Sequence, residues 1–131
     1  MAVSPASARP DLIVFDRVTR LDFPVVVKEL REILGPKLVA YVAEVAEIRT
    51  VNDWADGTRK PRSDVEARLR LALTLAGTIT EHDSAGVAKA WFQGLNPHLD
   101  DRSPARLLRE GDYGEIGPLL IGAVRAFVVG G

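Results

Sequence analysis

At 131 residues the chain can hold one compact core, or two small cores sharing an interface, which excludes two independent large domains. Cysteine is absent, so a disulfide framework and a thiolate metal site are excluded, and nothing ties the chain to an oxidising compartment. A net charge of -1 gives no global attraction to nucleic acid, so any DNA binding must rest on a local basic patch and on dimerisation.

Aromatic residues make up only 6% of the chain, which leaves the core to Leu, Val, Ile and Ala and suits closely packed helices. The first eleven residues are rich in Ala, Ser and Pro, with too little apolar surface to offset the entropy of ordering them. Residues 1–21 are therefore expected to form a flexible tail, within which the apolar run 12–15 is a short strand or a docking turn. The N-terminal stretch lacks the apolar core of a signal peptide, and no apolar run approaches bilayer-spanning length. A cytoplasmic protein with no membrane association is expected.

Pro24 stands where a first-turn proline belongs, Asp22 is placed to cap, and Val27, Leu30, Ile33 and Leu34 follow at helical spacing up to Gly35. Pro36 opens a second helix with Leu38, Val39, Val42 and Ala43 on one stripe, and residues 44–47 make a short connection. A third helix over residues 48–55 is closed by Gly57. Three short helices in succession make a helix-turn-helix pattern. Ser63 and Glu66 have the spacing of a capping box that starts a fourth helix, apolar around most of its circumference and so buried between two halves.

Past Gly77 the sequence turns polar, which places a domain joint there and divides the chain into units 22–79 and 80–131. Asp83 or Ser84 caps a helix carrying Val87, Ala88, Trp91 and Phe92, closed by Gly94. A turn-rich loop around Asn96 and Pro97 leads to Ser103 and Pro104, which start a short helix with Leu107 and Leu108. A last helix covers residues 113–127, with Pro118 tolerable only in its first turn or at a bend. The fold class is all-α.

In the third helix Ile48, Val51 and Trp54 face the core, which turns Arg49, Thr50, Asn52 and Asp53 outward. Arg can bind guanine O6 and N7, Asn can pair with adenine, Thr can meet a thymine methyl or a phosphate, and Asp can accept from cytosine N4. Arg59, Lys60 and Arg62 follow as a basic loop suited to the sugar-phosphate backbone. The same residues also fit the solvated face of a small helical domain. The stretch RTVNDWADGTRKP resembles the recognition-helix region of Xre-type repressors, with Trp54, Gly57 and Pro61 at the Trp-x-x-Gly and Pro positions.

The segment WFQGLNPHLDDRSPARLLREGDY resembles the C-terminal domain of the Xre/MbcA/ParS-like antitoxins, through Trp91, Asn96, Leu99, Pro104, Leu107, Leu108 and Gly111. With the helix-turn-helix in front, the resemblance covers roughly residues 22–131. It implies an antitoxin of a type II toxin-antitoxin system, in which residues 80–131 bind and occlude a RES-domain, NAD-consuming toxin. It also implies a homodimer that represses its own operon by binding operator DNA. Two departures stand out: Asp101 lies near the place of a frequent glycine, which implies another backbone path, and Gly117 and Pro118 interrupt a helix that the family keeps regular.

Trp91, Leu99, Leu107 and Leu108 read as core. The candidates for toxin contact are therefore Asn96, Arg102, Arg106, Tyr113 and Arg125, with Phe127 and Val128 as an apolar end that inserts into a partner's groove or packs on its own domain. Asp100 and Asp101 are adjacent and diverge, His82 and His98 are isolated, and no phosphate-cradling glycine loop or nucleophile motif occurs. No catalysis, cofactor or metal is expected. A stand-alone helix-turn-helix regulator, and an interaction module that no longer reads DNA, remain as alternatives.

Overall fold

The computed structural model describes residues 9–130, and these are all-helical, with eight α-helices and no strand. Of the expected flexible tail, residues 1–8 lie outside the described residues. The rest is a helix, α1 (Pro10–Arg20), opened by its own proline. The apolar run 12–15 is thus neither strand nor turn. Val14 and Val18, four residues apart, are buried against a helix more than fifty residues away in sequence, a contact that local periodicity could not reveal.

Three polar contacts fix α1. Arg17 forms a bidentate pair with Glu29 at 3.0 and 3.1 Å, and these hydrogen bonds hold the guanidinium pKa above its ordinary value. Arg70 donates to the carbonyls of Val18 and Leu21 at 2.8 and 2.9 Å, at the end of the helix where, among the described residues, Val18 otherwise accepts only from the Leu21 N–H at 3.2 Å. Arg9 pairs at 2.7 Å with the buried carboxylate of Asp11.

The next helices follow the punctuation in the sequence. Asp22 occupies the N-cap position of α2 (Phe23–Leu34), although its side chain makes no capping bond. Gly35, at φ 83°, ends α2, and Pro36 opens α3 (Pro36–Ala43). Glu44, at φ 61°, starts the turn 44–47 into α4 (Ile48–Asp56), which Gly57 closes at φ 79°.

Helix α5 (Ser63–Thr80) departs from the expected capping box. Arg62 takes the extended N-cap conformation, Ser63 is already inside the helix, and no side-chain cap bond forms. Glu66 instead accepts from Arg70 at 2.9 Å, one turn along. Residues 71–79 are buried without interruption, and α5 packs against α1, α2, α3, α6 and α8. It is the axis of the fold. It runs straight through Gly77, where the sequence suggested a joint.

After a turn at residues 81–83, Ser84 caps α6 (Ala85–Gln93) through the Val87 N–H at 3.2 Å. One 3-10 turn, Pro97–Leu99, precedes α7 (Pro104–Glu110), which Ser103 caps through the Arg106 N–H at 3.2 Å. Helix α8 (Tyr113–Gly130) ends the described chain. Because α6 packs on α2 and α5, α7 on α3, and α8 on α5, both halves contribute to a single apolar core. The expected boundary at residue 80 separates no cores.

Among the described helices, α8 is the one that bears on the membrane reading. Its 18 residues, at a mean hydropathy of 1.3, are long and apolar enough to cross a bilayer by length and composition, yet only 22% of them are buried. The sequence concealed this because Glu115, Pro118 and Arg125 break the apolar run, while the helix continues through all three. Pro118, the sixth residue of α8, lies beyond the first turn and donates no bond to the Gly114 carbonyl. Gly114 is exposed, so water can satisfy that oxygen.

Candidate functional site

Helix α4 buries Val51, Trp54 and Ala55, and the Trp54 ring meets Phe23 edge-on at 6.2 Å. That phasing leaves Arg49 exposed, and sets Thr50, Asn52 and Asp53 on half-buried flanks. The expected outward set therefore divides. Asn52 Oδ1 accepts from Arg31 of α2 at 2.8 Å, so the acceptor that adenine pairing needs is already engaged.

Asp53 is also turned to internal use. Its carbonyl accepts from the N–H groups of Thr58 and Arg59 at 3.0 and 3.4 Å and from the Thr58 hydroxyl at 3.2 Å. Its carboxylate lies 3.8 Å from Arg59. Asp53 thereby holds the segment after Gly57 against the end of α4, and is placed to orient it rather than to meet a cytosine.

That segment exposes Arg59, Lys60 and Arg62, which with Thr50 and Arg68 line a groove of about 490 Å³ beside Trp54. Arg62 is paired with Asp64 at 3.3 Å and Arg68 with Glu44 at 3.7 Å, both near the surface. Arg49 and Lys60 make no ion pair among the described residues. Arg31 and Arg68 were not anticipated. Their partners are distant in sequence, and no local pattern marks them.

In the second half, the expected contact residues do not gather into one patch. Asn96 is buried, with 9% exposure, and its Oδ1 accepts from the His98 N–H at 2.9 Å. Its backbone pairs with Arg102, and its carbonyl accepts from the N–H groups of Leu99 and Asp101. Asn96 is therefore the organiser of the loop and not an exposed contact, as an Asx side chain is fitted to be. Asp100 and Asp101 take φ 55° and 59°, the left-handed region that glycine favours and Asp tolerates. Asp101 thus follows a backbone path open to glycine.

Arg102 is half-exposed and donates to the Leu99 carbonyl at 2.9 Å, and Arg106 pairs with Glu110 at 3.3 Å on the surface. Tyr113 and Arg125 are exposed. Phe127 and Val128 form part of the last turns of α8 and pack on the protein's own core, the Phe127 ring lying 6.4 Å from Trp91. They are not a free apolar end. Between α6 and α8 runs an apolar groove of about 640 Å³, lined by Trp91, Leu95, Asn96, Ala126 and Phe127 among others. The indole N–H of Trp91 is buried with no hydrogen-bond partner.

Two further features escaped the sequence reading. Arg109 lies over the Tyr41 ring at 4.7 Å and donates to the Tyr41 carbonyl at 2.7 Å, tying α7 to the end of α3. Lys37 and Lys89 flank a third groove, of about 610 Å³, between the starts of α3 and α7. No group of three or more His, Cys, Asp or Glu side chains is assembled to hold a metal among the described residues.

Compared with known proteins, the chain matches no family model, no curated protein and no solved structure.

Proposed function

We propose that this protein is an antitoxin that acts by binding and not by catalysis. Its α3, turn 44–47 and α4 form a helix-turn-helix that contacts operator DNA, and its second half occludes a partner toxin of the RES type. The observation that carries the DNA part is the arrangement around α4. Arg49 is exposed and unpaired on the helix, and Arg59, Lys60 and Arg62 project from the segment that Asp53 holds beside it. Cations on a helix and on the loop that follows it supply one base-reading group and several backbone-clamping ones.

The toxin part rests on the resemblance of residues 91–113 to the Xre/MbcA/ParS-like antitoxins. The exposed Arg102, Arg106 and Tyr113 remain its contact candidates. One observation favours an interaction module without DNA reading: Asn52 and Asp53 are both engaged internally, which leaves Arg49 as the principal base-reading side chain.

Fluorescence anisotropy on DNA from the protein's own upstream region tests the reading. Arg49→Ala should lose about 1–3 kcal/mol of discrimination against altered sequence, while Lys60→Ala weakens every sequence alike. Unchanged affinity in both variants would remove α4 as the reader. Co-expression with the neighbouring reading frame, followed by purification of the complex, tests the partner, and a chain that purifies alone counts against the antitoxin reading.

A further inference from the structure

The face of α8 opposite its buried side has no cover. Ile116, Leu120, Ala123 and Val124 point into the core, and the far side presents Pro118, Leu119, Gly122 and Val129. Leu119 is 49% exposed and Val129 88%. A Cβ placed on Gly122 would meet nothing within 4 Å, so another backbone can approach closely at the middle of this face. An apolar stripe along a full helix is a surface that soluble proteins seldom leave open.

The charges on the face indicate what covers it. Only Glu115 near one end and Arg125 toward the other interrupt the apolar stripe. Ten residues of helix separate them, roughly 15 Å along the axis. If two copies pair in parallel, Glu115 meets Glu115 and Arg125 meets Arg125. If they pair antiparallel about a two-fold axis level with Leu120, each Glu115 comes level with the Arg125 of the other copy, and the favourable pair occurs twice. A self-complementary patch is the requirement of a two-fold interface.

We propose that a second copy of this chain covers this face, through an antiparallel α8–α8 pair centred level with Leu120, with Gly122 one side of the centre where the backbones approach. The interface goes beyond the antitoxin reading and does not depend on it. It assigns Arg125 to self-association rather than to a toxin.

Sedimentation velocity of the full chain across the micromolar range tests this. A dimer is expected, and Leu119→Glu should abolish it. Glu115→Arg and Arg125→Glu should each weaken it about tenfold, and the double variant should recover it. All three positions are exposed, so melting curves by circular dichroism should match the wild type and exclude misfolding. A wild-type chain that stays monomeric, or a dimer indifferent to both charge reversals, overturns the proposal. So does a monomer that co-sediments with phosphatidylcholine and phosphatidylglycerol vesicles, since lipid would then be the occupant.

Discussion

Val14 of α1 sits so close to Gly77 of α5 that a Cβ on the glycine would stand 2.8 Å from Val14 Cγ1. The Val14 side chain therefore packs directly on the α5 backbone at Gly77, at a position whose neighbours are all buried. Gly77→Ala should gain up to about 1 kcal/mol from helix propensity and lose about 1–3 kcal/mol from overpacking. A net loss is expected in urea unfolding, because Val is stiff at χ1 and cannot swing aside. Combining it with Val14→Ala should give less destabilisation than the two changes summed. A more stable Gly77→Ala single variant would show that α1 is not seated as described.

That contact also marks where the sequence stops being informative. Gly35, Pro36, Gly57, Ser84 and Ser103 act within a few residues of themselves, and each one punctuates the helix expected of it. Gly77 has the same chemistry but answers to Val14, and so it passed for a helix end while serving as a packing site. Ser63 and Glu66 satisfy the spacing of a capping box, yet Arg70 takes the glutamate while it also serves the carbonyls of Val18 and Leu21 at the end of α1. The candidate site behaves likewise. The phase of α4 was legible from Val51 and Trp54, whereas the engagement of Asn52 by Arg31 depends on where α2 crosses α4.

Asn52→Ala follows from that engagement. Its loss should leave discrimination at adenine positions unchanged, in contrast to Arg49→Ala. Stability should fall by about 0.5–1.5 kcal/mol through the missing hydrogen bond. Parallel anisotropy titrations and urea melts check both halves of the statement. A selective loss of adenine recognition would mean that Arg31 releases Asn52 on DNA.

Trp54 is 4% exposed and packs edge-on against Phe23, so it joins α4 to α2. Trp54→Ala should cost about 3–5 kcal/mol, a large fraction of the stability of a domain of this size. Thermal unfolding monitored at 222 nm measures it. A melting temperature that did not move would place the indole outside the core.

The end of α8 separates a structural role from a contact role. Phe127 packs toward Trp91, and a chain truncated after Arg125 loses this ring together with the last turn of the helix. Half-burial of a phenylalanine contributes about 1–2 kcal/mol, so the truncated protein should melt at a lower temperature. Any weakening of rescue from a co-expressed toxin would then follow from lost fold, not from a lost contact. Tyr113 offers the complementary case: it is 48% exposed at the start of α8, and its side chain makes no hydrogen bond among the described residues. Tyr113→Ala should leave the melting temperature unchanged, and on the proposed function it should reduce rescue. If the truncated chain melts as the full chain does and still loses rescue, the end of α8 touches the partner directly. If Tyr113→Ala rescues fully, the partner surface lies on Arg102 and Arg106, away from the start of α8.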